Sequence, residues 1–340
     1  MANGSETNAG CSQDPEPVEL SDTSRTFMLA CHPIREREYI LPTPMMERTY
    51  EVVRDRVWTR RTGVVFYAPP RMGKTRCAMA IKDHICAEFP NTYVTLLSAR
   101  RATRPTDGHM FRLILEAENH MLSGRSNADA LFTNVKADIR VKLVGTGGHQ
   151  YVLLIDELQL LNDTDLQQLV CLHNSLELAN IKMTTISFAQ PEILHRRSAL
   201  MATNDRQIIA RFLSEPLRFE GCSQAAELAT LLRAYDVASE YPENSGWSYT
   251  RFFFPIAFQQ GFRLETYASQ IWRELSLASG LGSNGVVPME HICLTIEYLL
   301  LALRKQDYAN FVIIDVDIAN AVASSNLQMF STLMGGGSGS

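Results

Sequence analysis

The chain has 340 residues, of which 46% are hydrophobic and 20% are charged. These proportions are typical of a soluble globular protein with one large or two moderate domains, and they exclude a wholly disordered chain. The net charge of −5 gives no overall attraction to nucleic acid, so any contact with DNA must come from local basic patches.

The sequence favours a cytoplasmic protein that does not cross a membrane. No apolar run approaches the roughly 20 residues that span a bilayer, and the polar, acidic N-terminus is unlike a signal peptide. The seven cysteines are scattered, without a Cys-x-x-Cys pair. This pattern suits a reducing compartment and argues against a disulfide framework or a zinc site.

The two ends of the chain are expected to lie outside the folded part. Residues 1–24 are rich in Ser, Asn, Asp, Glu and Pro, which predicts a disordered N-terminal arm. Residues 335–340 are typical of an engineered flexible linker. The sequence between them divides into 25–221, where strands and helices alternate, and 222–334, where helices dominate.

The first of these regions predicts a doubly wound α/β fold. Strands are expected at 63–67, 92–97, 151–155, 183–188 and 215–220. Helices are expected at 46–60, through Ala78, Ile81 and Ile85, at 107–121 with Asp107 as N-cap, and at 163–178. Residues 122–150 are weakly patterned. Strands that alternate with helices imply parallel pairing and right-handed crossovers. Beyond residue 222, helices are expected at 224–238, 263–278, 289–305 and 314–324.

A phosphate-binding loop follows the first predicted strand. Residues 68–75 read APPRMGKT, which matches G-x-x-x-x-G-K-[ST] except that Ala68 replaces the first glycine. A chance match in a loop is the alternative, but the flanking strand and helix meet the required context. Lys74 is expected to reach the β- and γ-phosphates of ATP, and Thr75 to bind Mg²⁺. The predicted nucleotide-binding residues are Ala68, Pro70, Arg71, Met72, Gly73, Lys74, Thr75 and Arg76.

Two carboxylates end the third predicted strand. Asp156 and Glu157 follow the apolar run YVLLI and would emerge at the carboxyl end of a central strand, where α/β proteins bind ligands. Asp156 is expected to hold Mg²⁺, and Glu157 to orient and polarise the attacking water. The alternative is a strand that ends in a helix N-cap. A position about 80 residues after a phosphate loop favours the catalytic interpretation. Together the two motifs predict a P-loop ATPase.

Further polar residues could complete this site. Gln190 follows the fourth strand, where a polar group can sense the γ-phosphate; Thr185 and Ser187 compete for that role, and a simple turn residue is the alternative. Arg211 could act as an arginine finger on the nucleotide of a neighbouring subunit. Arg206 is the main alternative finger, and Arg263 could reach the phosphates from the helical region. Solvated helix arginines are the alternative for these positions.

A basic segment follows the second strand. Its candidate phosphate-contacting residues are Arg100, Arg101, Arg104 and Thr106. Composition alone favours an ordinary solvated loop.

In combination, these motifs resemble those of the TnsC/TniB-type AAA+ regulators of transposition, with the ExeA-like ATPases close by. The resemblance covers roughly residues 35–325. It rests on APPRMGKT at 68–75, YVLLIDELQLL at 151–161, FAQPEIL at 188–194, IIARFL at 208–213 and GFR at 261–263. The first two motifs are shared by the whole superfamily, and the other three narrow the resemblance to this branch of it.

The resemblance implies an ATP-dependent homo-oligomer, as a ring or a helical filament, that encircles or coats double-stranded DNA. Such proteins link a target-site selector to the transposase. The DNA-facing loop of the family follows the second strand, which corresponds to Arg100, Arg101, Arg104 and Thr106 here, and its contacts would be independent of sequence. Two alternatives remain open: a helicase loader resembling IstB or DnaC, and a DNA-independent scaffold switched by ATP.

Overall fold

The computed structural model describes residues 19–102, 104, 106–120, 127–280 and 285–335. The predicted arm lies outside these residues up to residue 18, and residues 336–340 of the predicted linker also lie outside them. A helix starts at Asp22, within the last three residues of the predicted arm. Ser21 caps this helix by accepting a hydrogen bond from the Ser24 N–H at 3.2 Å. Arg25 fastens it to the helical region by donating to the Phe252 carbonyl at 2.9 Å.

A parallel sheet forms the centre of the first region. The strands are β1 (Gly63–Tyr67), β2 (Thr92–Ser98), β3 (Gln150–Asp156), β4 (Lys182–Ala189) and β5 (Pro216–Arg218). Their order among the described residues is β2-β3-β4-β1-β5, and each neighbouring pair is parallel. The predicted doubly wound α/β sheet is therefore confirmed. The carboxyl ends of β1, β3 and β4 share one edge, where the functional site lies.

The helices cover both faces of the sheet and build the carboxyl-terminal region. Those of the first region are α1 (Asp22–Met28), α2 (Pro33–Glu36), α3 (Pro44–Trp58), α4 (Lys74–Glu88), α5 (His109–Ala117), α6 (Ala128–Thr146), α7 (Asp163–Leu178), α8 (Glu192–Ala202) and α9 (Arg206–Phe212). Those of the second are α10 (Ala225–Val237), α11 (Tyr249–Phe253), α12 (Pro255–Gln259), α13 (Ala268–Ser279), α14 (Met289–Leu303), α15 (Asp315–Ser324) and α16 (Leu327–Gly335). Short 3-10 helices occupy Leu29–Cys31, Leu158–Leu160, Leu264–Tyr267 and Arg304–Gln306. Within the described residues, no helix is both long and apolar enough to cross a bilayer.

Two expectations about the segment between β2 and β3 need correction. Asp107 is not an N-cap: α5 starts at His109, after Gly108 in a left-handed conformation with φ of 82°. The weakly patterned residues 122–150 contain the 19-residue helix α6, which Asn127 caps. Its buried residues recur every four positions and form one narrow apolar stripe: Leu131, Val135, Ile139 and Leu143.

The apolar residues form three clusters. Two lie on opposite faces of the sheet, and the third fills the helical region. Ile34 and Leu41 belong to this third cluster, and Tyr39 packs against it. The segment that precedes α3, which the sequence assigned to the α/β region, is thus part of the helical core.

Candidate functional site

The phosphate loop connects β1 to α4 at the carboxyl edge of the sheet. Arg71 and Gly73 adopt left-handed conformations, with φ of 68° and 98°. Gly73 immediately precedes the first residue of α4, so the loop delivers main-chain N–H groups to a helix N-terminus, a geometry that binds anions. Ala68 lies buried beneath the loop, and its N–H donates to the Ala189 carbonyl of β4 at 3.1 Å.

Lys74 is buried at the centre of this loop. Its ammonium donates to the carbonyls of Ala68 and Pro69, both at 2.8 Å. Burial lowers the pKa of Lys74, and the nearby carboxylates of Glu157 and Asp156 oppose that shift. A positive group held in this way is available to the phosphates of a nucleotide.

Thr75 and Asp156 bring two oxygen donors together. The Thr75 hydroxyl donates to Asp156 Oδ2 at 2.7 Å, and Asp156 Oδ1 accepts the Glu157 N–H at 3.0 Å. Burial raises the pKa of Asp156, while the Thr75 hydrogen bond lowers it. A hydroxyl and a carboxylate form the hard oxygen donor set that suits Mg²⁺. Thr75 and Asp156 would hold Mg²⁺ here, and the ion would neutralise negative charge on the phosphates of a bound nucleotide.

Glu157 lies between β3 and the 3-10 helix Leu158–Leu160, in a left-handed conformation with φ of 58°. Its Oε2 accepts hydrogen bonds from Nε2 of Gln190, at 2.9 Å, and from Nε2 of Gln159. Gln159 Oε1 in turn accepts the Gln190 N–H at 3.0 Å. The structure therefore brings Gln190 to Glu157. It adds Gln159, which the sequence analysis missed and which only its position two residues after Glu157 could have indicated.

The competing sensor candidates are elsewhere. Thr185 and Ser187 are buried within β4, and their hydroxyls have no hydrogen-bond partner among the described residues. Met72 packs against the sheet core, and neither Met72 nor Ala68 borders the cavity described next.

A cavity of about 410 Å³ lies between the phosphate loop and the helical region. This volume falls within the range of small-molecule sites. One wall contains the predicted phosphate-loop and catalytic residues Pro70, Arg71, Gly73, Lys74, Thr75, Arg76 and Glu157. The opposite wall comes from the segment before α3 and from α10 and α14, and includes Tyr39, Ile40, Leu41, Tyr235, Cys293, Leu294 and Glu297.

A hydrogen-bonded cluster ties the second wall together. Tyr39 donates to Glu297 Oε1 at 2.9 Å, and its oxygen is 2.7 Å from that of Tyr235. Arg37 Nε lies 3.0 Å from Glu297 Oε2. Burial raises the pKa of Glu297, and these contacts with Tyr39 and Arg37 lower it. The cluster joins three segments that are far apart in the chain.

Arg71 of the loop and Arg76 of α4 contact the opposite wall. Arg71 lies 3.4 Å from Glu290 Oε1, and its guanidinium carbon is 5.3 Å from the centre of the Phe330 ring. Arg76 donates to the Arg37 carbonyl at 2.7 Å.

Arg263 does not reach the phosphate loop, so this expectation was wrong for the described structure. Its guanidinium donates to the carbonyls of Phe258 and Phe262 at 3.0 and 2.6 Å, and its carbon lies 3.6 Å from the centre of the Phe258 ring. Arg263 also precedes the 3-10 helix Leu264–Tyr267 instead of opening α13. Two hydrogen bonds and the contact with the Phe258 ring hold the guanidinium in place, and Arg263 does not border the cavity.

Arg211 lies near the end of α9 and borders a different, more open cavity of about 750 Å³. Arg211 donates to Asn174 Oδ1 at 2.9 Å. Thr62 and Lys182, at the amino ends of β1 and β4, also border this cavity, which contains no described residue of the phosphate loop. It is larger than the first cavity, but it lacks the ATPase residues. Arg206, the alternative finger, is exposed at the first position of α9.

The basic segment follows β2 at the same sheet edge as the phosphate loop. The Ala99 N–H donates to the Asp156 carbonyl at 2.9 Å, which fixes the start of the segment beside β3. Arg100 pairs with Glu116 and remains largely exposed. The other candidate residues of the basic segment, Arg101, Arg104 and Thr106, are also exposed. Residues 103 and 105 lie outside the described part of the chain.

Residues 58–196 match the family model of the AAA domain. The fold is similar to that of the Aeropyrum pernix ORC2 protein in its ADPNP–ADP complexes, with a TM-score of 0.56 and 13% identity, over 86% of this chain and 71% of that chain. The ADP form of the same protein gives a TM-score of 0.56 and 12% identity, over 87% and 73%. No curated protein sequence matches the chain. The matched segment makes up less than half of the chain and spans the phosphate loop, the carboxylate pair and Gln190.

Proposed function

We propose that this protein is an AAA+ ATPase that regulates DNA transposition, by assembling with ATP on double-stranded DNA and linking a target-site selector to the transposase. One observation carries the DNA part of the proposal. The exposed basic segment starts beside Asp156 of the ATP site, through the 2.9 Å hydrogen bond from Ala99 to the Asp156 carbonyl. A change at the nucleotide therefore has a short route to the proposed DNA contact. The narrower assignment to transposition rests on the motif resemblance.

In this proposal, Lys74 and the loop N–H groups hold the triphosphate of ATP. Thr75 and Asp156 hold Mg²⁺, and Glu157 orients the attacking water. Gln190, which contacts Glu157 at 2.9 Å, senses the γ-phosphate. These roles use the residues that the fold brings together at the carboxyl edge of the sheet.

Assembly depends on a neighbouring subunit. Arg211 lies away from the phosphate loop of its own chain, as a residue that acts on another subunit must. An arginine finger stabilises the charge of phosphoryl transfer, and in known systems it raises turnover about 10³- to 10⁵-fold. ATP bound between subunits favours the homo-oligomer, and hydrolysis shifts the population back towards free subunits. Both a ring and a helical filament fit this arrangement.

The DNA contact would be to the phosphate backbone. Arg100, Arg101, Arg104 and Thr106 would supply it, so binding would be independent of sequence and sensitive to salt. The net charge of −5 does not conflict with this role, because an oligomer can line its inner face with one basic segment from each subunit. The protein would act in the cytoplasm.

The proposal is tested with Glu157→Gln, ATP and duplex DNA. Glutamine keeps the shape of Glu157 but cannot serve as the base, so we expect ATP binding to persist and the DNA-bound oligomer to last longer. Electron microscopy and dissociation kinetics measure this effect. Arg211→Ala is the matched variant, which should bind ATP without assembling. Loss of DNA binding by Glu157→Gln, with ATP still bound, would contradict the proposal, and rings that form equally without DNA would favour the scaffold alternative.

The DNA segment is tested separately. Changing Arg100, Arg101 and Arg104 to Gln should weaken DNA binding, and the slope of log affinity against log salt should fall by about one for each DNA phosphate that the variant no longer neutralises. Changing Arg233 and Arg273 to Gln, which removes two positive charges at exposed positions of the helical region, provides the control. An unchanged salt slope in the first variant would remove this segment from the DNA interface.

A further inference from the structure

Gln159 closes a ring of hydrogen bonds at the catalytic carboxylate. Its Nε2 donates to Glu157 Oε2, and its Oε1 accepts the main-chain N–H of Gln190 at 3.0 Å. Gln190 Nε2 completes the ring by donating to the same Glu157 oxygen at 2.9 Å. The Gln159 amide is thus fixed at both ends, by the residue after β3 and by the residue after β4.

We propose that Gln159 is a positioning residue, which keeps the Glu157 carboxylate aimed at the attacking water when Gln190 turns to the γ-phosphate. This inference rests on the proposed hydrolytic role of Glu157. Glu157 needs such a hold, because its left-handed backbone with φ of 58° interrupts the regular strand geometry that would otherwise set its direction. Both amides act on Oε2, so Oε1 is available to accept a proton from water.

The local backbone does not depend on the Gln159 side chain. Leu158 and Leu161 are buried in the sheet core on either side of it. The Leu160 and Leu161 N–H groups donate to the carbonyls of Glu157 and Leu158 at 2.9 and 3.1 Å. Substitutions at position 159 therefore change the hydrogen bonds of the amide and leave the 3-10 helix anchored.

Two substitutions separate the two functions of the amide. Gln159→Met removes both the donor and the acceptor at nearly constant length. Gln159→Glu keeps an acceptor for the Gln190 N–H but loses the donor to Glu157 and adds a negative charge beside it. If Gln159 only braces the Gln190 main chain, Gln159→Glu should retain activity. If it positions the Glu157 carboxylate, both variants should lose ATP hydrolysis.

Steady-state ATP hydrolysis provides the measurement. We expect kcat to fall about tenfold or more in both variants, with KM for ATP within about twofold, since small misplacements of a catalytic group are costly. Gln167→Met, at an exposed position of α7, is the matched control and should leave both constants unchanged. Normal kcat in Gln159→Glu would overturn the inference.

A double-variant cycle separates failure of the inference from failure of the proposed function. Gln159→Met should have little further effect in a Glu157→Gln background, because a positioning residue acts only through the group that it positions. Additive losses would overturn the inference and leave the role of Glu157 intact. Wild-type hydrolysis by Glu157→Gln alone would overturn the proposed role of Glu157, and the inference with it.

Discussion

The two walls of the nucleotide cavity differ in how they are built. The phosphate wall is contributed by the segments that follow β1 and β3, and it includes the charged groups Lys74 and Glu157. The carbonyls that hold Lys74 lie only five and six positions before it in the chain. The opposite wall is assembled from three distant segments, and Tyr39 and Glu297 tie them together across 258 positions of the chain. In the proposed function the chemistry lies on the first wall, and the second wall bounds the cavity.

The walls meet at the start of α14. The Glu290 N–H donates to the Arg71 carbonyl at 3.1 Å, and the Arg71 side chain approaches both Glu290 and Phe330. The helical region and the phosphate loop are therefore in direct contact. Variants that act on one wall alone can show whether chemistry and closure are separable.

Lys74→Met is expected to have the largest effect, because it removes the only cation that the described structure holds at the centre of the phosphate loop. Loss of one charge-assisted hydrogen bond to the phosphates should weaken ATP binding about 10- to 150-fold. Stability without nucleotide should be equal or higher, since burial disfavours this ammonium and lowers its pKa. Calorimetric titration with ATP and thermal unfolding measure the two effects. Lys82→Met, on the same helix, should change neither, and unchanged ATP affinity in Lys74→Met would place the triphosphate elsewhere.

The phosphate wall was predictable because its signals are local. The predicted bounds of β1 (63–67) and α7 (163–178) agree with those in the structure. Both predictions use patterns of neighbouring residues, an apolar run and a helical periodicity. The phosphate loop and Asp156 also follow from motifs at the ends of such strands. Gln159 was missed because its role depends on Gln190, which is 31 positions away.

No sequence motif indicated the residues of the opposite wall. Neither Tyr39 nor its partner Glu297 was predicted as a site residue, because their contact links distant parts of the chain. Arg263 was predicted wrongly for a related reason. Its motif fixes its place in the sequence, but the direction of its side chain depends on the carbonyls and the ring that a preceding turn presents.

A further prediction concerns the effect of acid on the helical core, through His32. This residue is fully buried in the helical core beside Tyr241, Phe252 and Phe253, and its Nδ1 accepts the Ile34 N–H at 3.1 Å. Burial lowers its pKa from 6.5 to about 3. The folded state therefore keeps His32 neutral, whereas the unfolded chain binds a proton below pH 6.5. The stabilisation is complete above pH 6.5 and is lost as the pH falls towards 3.

The expected loss is about 1.4 kcal/mol per pH unit, or roughly 2 kcal/mol between pH 6.5 and 5. Denaturant unfolding at the two pH values measures it, and His32→Phe should remove this part of the dependence. Burial also lowers the pKa of His173 and His291, so a smaller slope should remain. The exposed His195 offers the control, because His195→Gln should keep the wild-type slope. A variant His32→Phe with an unchanged slope would contradict the assignment.

Ala68→Gly is expected to have the smallest effect, although it restores the usual first residue of the loop motif. Position 68 uses its N–H towards Ala189 and its carbonyl towards Lys74, and glycine retains both groups. Unlike Arg71 and Gly73, Ala68 does not have a positive φ, so its backbone makes no demand for glycine. ATP affinity and turnover should therefore stay within about twofold, whereas the free energy of unfolding should fall by about 1–2 kcal/mol through removal of the buried methyl group and the added chain entropy. A tenfold rise in turnover would instead show that the methyl group restrains the loop, and the phosphate wall would then be tuned by packing as well as by charge.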